Sequence, residues 1–254
     1  MSGAGSTLRV VAIAAALATL ASMGALAAPA VERPDATRAA ARGPVVSQLV
    51  AFRSGRTVQR RVRASLTRVR VGRKRCAVAP GTALATLVAS RPGRIGLRDF
   101  GACSRRARDG GQLFVRSIRG ERNRGVSGWV YKVGSRLATA GAGDPAGPFG
   151  RGRLRGGSRL TWFYCRMDDG SCQRTLALRA SPAPGDGATV VSVRGFDDRG
   201  HGVPVEGATV RGGGAQARTD AEGRATLVLP AGRRTLRATR RGLVPSHAVR
   251  VTVR

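Results

Sequence analysis

Aromatic side chains are scarce in this 254-residue chain, and the stretch from Phe114 to Leu178 holds both tryptophans, both tyrosines and two of the four cysteines. With aromatics at 4%, 36 glycines and 12 prolines, a core must be built mainly from Val, Leu and Ala between frequent turns. That composition favours short strands over long helices. Gly128-Trp129-Val130-Tyr131-Lys132-Val133-Gly134 and Leu160-Thr161-Trp162-Phe163-Tyr164-Cys165 read as two strands joined by a Gly/Pro-rich loop. By the period of two, Trp129, Tyr131 and Val133 share one face, as do Leu160, Trp162 and Tyr164, while Phe163 points the other way. Burial is the expectation for these rings, because a domain with so few aromatics uses them for its core. The competing reading makes Trp129, Tyr131, Trp162 and Tyr164, with Phe149 on the connecting loop, a stacking platform for a small planar ligand. The loop from Ala140 to Gly157 is long for a hairpin, and long irregular loops are disproportionately functional.

Residues 1–27 have the form of a secretory signal peptide: Arg9 before an apolar run from Val10 to Leu20, then Ala25-Leu26-Ala27 as a small-x-small cleavage site. The mature protein is then expected outside the cytoplasm with no stable transmembrane segment after processing. Residues 28–45 are rich in Ala, Pro and Arg without a sustained period, and read as a disordered leader.

Residues 46–180 read as an α+β first domain. A strand over Val45 to Phe52 is followed by an alternating Arg/apolar segment from Thr57 to Val71, taken as strand with one cationic, solvated face. Thr82 is placed as the N-cap of a helix carrying Leu84, Leu87 and Val88 on one face, stopped by Arg91-Pro92-Gly93. Ile95 to Phe100 and Leu113 to Ile118 are further strands. Strands, one helix, then strands again imply a helix covering one face of a mixed sheet.

Four cysteines in a secreted chain imply two disulfides, for which three connectivities exist. Cys165 and Cys172 flank the Asp169-Gly170 turn signal, so a hairpin is expected to bring their two sulfurs together. Cys76 with Cys103 is then the second bridge, stapling the strand before the helix to the segment after it. Metal binding is disfavoured, since this domain contains no histidine and the cysteine spacing does not form zinc knuckles.

The Gly128-Trp129-Val130-Tyr131-Lys132-Val133 strand, the later Trp162-Phe163-Tyr164 strand and the Gly81-Thr82-Ala83-Leu84 step before the helix together resemble the transcobalamin-like C-terminal domain family. The resemblance covers roughly residues 65 to 180 and implies a β-grasp-like sheet with one helix. It says little about function, because most bacterial members share only this module with the cobalamin carriers.

Ser181-Pro182-Ala183-Pro184-Gly185-Asp186-Gly187 reads as a linker, residues 181–187. Residues 188–254 read as successive short strands at Thr189–Arg194, Ala208–Arg211, Ala215–Thr219, Ala225–Leu229, Thr235–Thr239 and Ala248–Val253, which suits a small β-sandwich. Val205-Glu206-Gly207-Ala208-Thr209-Val210 and the Thr219-Asp220-Ala221-Glu222-Gly223 turn are similar to carboxypeptidase regulatory-like and bacterial Ig-like domains of prealbumin-type fold. That resemblance implies a non-catalytic spacer or adhesion module. Asp197, Asp198 and Asp220 lack the spacing of a calcium loop and read as turn formers.

No nucleophile frame, separated carboxylate pair or cofactor motif is present, so an enzyme and a resident cofactor are not expected. His201 and His247 are placed on turns. Charge is extreme, with 45 Lys plus Arg against 14 Asp plus Glu, a formal net of +31, and only Lys74 and Lys132 as lysines. A field of this size attracts polyanions; the competing reading is codon bias, which over-uses Arg, Ala, Gly and Pro together. The expected protein is a mainly β, secreted, non-enzymatic, cell-envelope-associated binding or interaction protein, partnered by anionic cell-envelope polymers or by another protein. The alternatives are a carrier of a corrinoid-like small molecule and a secreted polycation that binds nucleic acid non-specifically or anionic surfaces.

Overall fold

Tyr131 and Trp162 stand opposite one another on neighbouring strands, their rings stacked with centroids 4.9 Å apart, within the largest of the hydrophobic cores. The computed structural model describes residues 42–167, 169–182 and 188–253. The signal-like segment, most of the leader and most of the proposed linker lie outside the described residues. The chain is mainly β, with a single α-helix among the described residues.

The amino-terminal part runs β1 Val45–Ala51, β2 Thr57–Arg63, β3 Thr67–Val71, β4 Lys74–Val78, α1 Ala83–Ser90, β5 Ile95–Asp99, a 3-10 turn at Ala107–Gly110, β6 Leu113–Ile118, β7 Glu121–Arg122, β8 Gly128–Val133, β9 Arg136–Leu137 and β10 Arg159–Cys165. Its main sheet has the order β2-β1-β10-β8-β9, with β1 and β10 parallel at the centre and the other pairings antiparallel. This is the mixed sheet with one covering helix that the order of strands and helix in the sequence implied. Smaller sheets, β3-β4 and β5-β6-β7, complete this part.

Helix α1 forms where its local chemistry requires. Oγ1 of Thr82 accepts the amide of Ala85 at 3.3 Å as N-cap, and Arg91 ends the helix in the left-handed region. The helix carries no charged residue and is buried nearly all round, because it lies over one face of the main sheet. Gln48 on β1, which is fully buried, ties the two layers by donating to Ser90 Oγ at 2.5 Å and accepting from Thr86 Oγ1. Such a group is tolerated in a core only with its partners in place.

The alternating Arg/apolar segment is two strands and not one. At the break Ala64 is buried; its N–H donates to Pro44 O at 2.8 Å and its C=O accepts from Gly81 N at 2.7 Å. Gly43, at φ +61°, packs so closely on Ala64 that a Cβ there would lie 1.9 Å from the Ala64 carbonyl oxygen. The expected cationic stripe is therefore divided between β2 and β3, which belong to different sheets.

The carboxy-terminal part comprises β11 Thr175–Pro182, β12 Ala188–Phe196, β13 Gly202–Pro204, β14 Thr209–Gly212, β15 Ala215–Arg218, β16 Arg224–Val228, β17 Gly232–Thr239 and β18 Val249–Val253. One sheet places β11, β13 and β16 on β12, and the other has the order β15-β14-β17-β18. Leu176, Leu178, Val191, Val193 and Leu227 of the first sheet share a core with Val210, Leu236, Ala238, Val251 and Val253 of the second. Strand β11 is where the structure departs from the expected boundary. Thr175–Pro182 pairs with β12 over eight residues, so the sandwich begins before the proposed linker.

Both expected disulfides are present. Cys76 and Cys103 join β4 to the segment after β5, and Cys165 and Cys172 join the end of β10 to the approach to β11. The second bridge does not close a two-stranded hairpin. β10 pairs with β1 and β8, and β11 with β12, so Cys165–Cys172 pins the point where the chain leaves one sheet for the other.

Candidate anion-binding seam

Strand period gives the main sheet two faces with different fates. Val46, Val50, Leu160, Trp162, Trp129 and Tyr131 pack with α1 in the larger core. On the opposite face Ala51, Phe163 and Val130 pack with the Cys165–Cys172 bridge and with Val244 of the sandwich. The sandwich therefore covers the second face of the sheet, and the described residues fall in a single compact unit.

The seam between the two parts carries a row of polar contacts. Lys132 of β8 is fully buried; its Nζ donates to Asp197 O at 2.7 Å and Phe196 O at 3.0 Å and lies 3.3 Å from Asp198 Oδ1. Burial lowers the Lys132 pKa, and Asp198 works against that shift. Asp198 also accepts Cys172 N at 2.9 Å through Oδ2 and Leu137 N at 2.9 Å through its carbonyl. Across the sheet, Gln59 of β2 accepts Ala248 N at 2.7 Å and Arg237 Nη2 at 3.0 Å. Between these anchors the His247 ring lies 3.1 Å from Thr161 Oγ1 through Nε2 and 3.4 Å from Ser47 Oγ through Nδ1. Burial, with Arg159 and Arg237 nearby, pushes its pKa down to about 4, against the weaker upward pull of the Leu160 backbone.

Two clefts flank this seam. One, of about 1190 Å³, is lined by Arg53, Arg166, Arg218, Arg240 and Arg241, with Glu121 as its single carboxylate. The other, of about 500 Å³, is lined by Arg159, Arg179, Arg194 and Arg224 with Glu222, and reaches His247. Among the described residues only Arg108, of all the arginines, has a carboxylate oxygen within ion-pair distance, 3.7 Å, whereas both lysines are paired. The unpaired positive charge is thus arginine charge.

The five aromatic residues proposed for a ligand platform do not form an open one. Trp129, Tyr131, Trp162 and Tyr164 are all buried to within 6% exposure. Trp129 stands edge-on to Tyr164 at 6.0 Å and donates its Nε1 to Glu121 O at 2.8 Å. The Tyr131 hydroxyl donates to Ala140 O at 3.0 Å, and burial raises its pKa. Phe149 is half-buried beside the guanidinium of Arg136. The cavity next to these rings, lined also by Ala140, Gly141 and Ala142 of the long loop, holds about 180 Å³. Asp197 and Asp220 use their carboxylates on turn amides, those of Arg199, His201 and Arg224.

Sequence reasoning missed Lys132, Asp198, Gln59 and His247 as seam residues. The signal in reach was Lys132, a lysine in a chain of arginines, placed on the strand face opposite Trp129 and Tyr131. Comparison with known proteins gives no match: no family model, no curated protein and no solved structure is similar to the chain.

Proposed function

We infer that the protein is a secreted, non-enzymatic binding protein retained at the cell envelope by attraction to anionic polymers. The observation that carries this reading is the pair of concave, arginine-lined clefts along the seam, whose cations have no carboxylate partners among the described residues. Low-dielectric walls focus such a field and raise the local concentration of a polyanion. The signal-like amino terminus and the two disulfides support an oxidising, extracellular setting. No helix among the described residues is long and apolar enough to cross a membrane; the positive charge supplies a means of retention. The sandwich, read from sequence as a spacer, supplies one wall of each cleft.

A corrinoid carrier draws less support. Its rings are buried against one another, and a 180 Å³ cavity is smaller than the roughly 300–1,000 Å³ of ordinary small-molecule sites. The test is binding of the purified protein to isolated envelopes over a range of salt, together with assays for hydrolysis of envelope polymers. Binding that falls steeply with salt, without turnover, is expected; turnover, or salt-independent retention, contradicts the reading.

A further inference from the structure

We propose that the larger seam cleft is a site for the backbone of a base-free phosphodiester polymer, of the poly(glycerol phosphate) kind. The proposal deepens the anionic-polymer reading and rests on it.

The cleft is built from both parts of the molecule. Arg53, on the turn after β1, and Arg166, just past β10, stand on one wall; Arg218 at the end of β15 and Arg240 and Arg241 after β17 stand on the other. All five are exposed, and among the described residues none of their guanidinium groups meets a carboxylate or donates a hydrogen bond to the protein. Arg53 rests over the Tyr164 ring at 5.1 Å, which fixes its plane. Glu121, the one acid in the lining, is committed to the amide of Arg53 at 3.1 and 3.2 Å through its two oxygens. Unpaired guanidinium forks on two facing walls suit a chain of tetrahedral, doubly accepting anions, because each fork can hold two phosphate oxygens at once. A volume of about 1190 Å³ with an open mouth admits an extended segment rather than a lone ion.

The rings in the lining decide against nucleic acid. Phe52, Phe163 and Tyr164 are buried, so the cleft presents no free aromatic face on which bases would stack. Only the phosphate chain is read.

The test is fluorescence anisotropy of labelled poly(glycerol phosphate) with the full mature chain at several salt concentrations. Wild type is compared with Arg218→Gln/Arg240→Gln/Arg241→Gln and with the charge-matched control Arg68→Gln/Arg73→Gln/Arg75→Gln on the exposed β3–β4 hairpin, outside both clefts. The first variant is expected to lose at least roughly tenfold in affinity at low salt and to flatten the slope of log K against log salt by about 2, near 0.7 for each phosphate contact removed. The control is expected to stay within about threefold of wild type. Equal losses in both variants overturn the cleft as the site while leaving charge-driven binding standing; no binding by wild type at low salt overturns both. Single-stranded DNA of equal charge binding roughly tenfold more tightly overturns the choice of a base-free polymer.

Discussion

The ammonium of Lys132 lies 3.3 Å from Asp198 Oδ1, joining the middle of the main sheet to a turn of the sandwich in a place no solvent reaches on the lysine side. The carbonyls of Phe196 and Asp197 are further acceptors for this lysine, the one buried charged side chain among the described residues. Lys132→Met leaves those acceptors and the Asp198 carboxylate without their cation, which is expected to cost about 2 to 3 kcal/mol. Urea titration at neutral pH checks the loss, and a double-mutant cycle with Asp198→Asn is expected to show coupling of about 1 kcal/mol.

His247 makes the seam sensitive to acid. Its folded pKa, about 4, lies below the ordinary 6.5, so between those values the unfolded chain holds the extra proton and stability rises with pH. The contribution is complete above about pH 6.5 and is lost as pH falls toward 4, a span of up to about 3 kcal/mol. Asp197 is held below the usual carboxylate range chiefly by the amide of His201, so its own contribution is lost only under more acid conditions. Stability curves of wild type and His247→Gln over pH 4 to 7 check this: the slope is expected to flatten in the variant.

The two disulfides differ in the loop each closes. Cys76–Cys103 has a sequence separation of 27 and Cys165–Cys172 of 7. Chain entropy predicts that replacing the first pair by serine costs about 3 to 4 kcal/mol and the second about 2 to 3 kcal/mol. Thermal unfolding of the two paired-serine variants ranks them.

Buried indoles leave an optical signature. With Trp162 at 1% and Trp129 at 5% exposure, emission is expected to be blue-shifted and weakly quenched by iodide, and to stay unchanged on adding cobalamin. A quenchable, red-shifted spectrum or a saturable response to cobalamin contradicts the core assignment.

What was legible in the sequence was local. The Thr82 cap, the apolar helix face, the period-two strands around Trp129 and Trp162 and the Asp169-Gly170 turn each depend on neighbours within a few residues, and each is found where expected. The seam depends on partners far apart in sequence. Lys132 alternates with Tyr131 and Val133 as any solvated strand residue would, and only the sandwich laid over its face buries it. Leu176 and Leu178 alternate correctly for either sheet, so the period could not say that β11 belongs to the sandwich. Asp197 and Asp198 were legible as turn formers, whereas the ammonium that the turn receives comes from 65 residues away along the chain.

The binding reading requires two cleft walls held in fixed relation, and that rests on the two folds unfolding together. Differential scanning calorimetry of the mature chain tests this most directly. One transition is predicted, with calorimetric and van't Hoff enthalpies equal and the midpoint lowered as a whole by Lys132→Met. Two resolved transitions, with Lys132→Met shifting neither, would contradict the account.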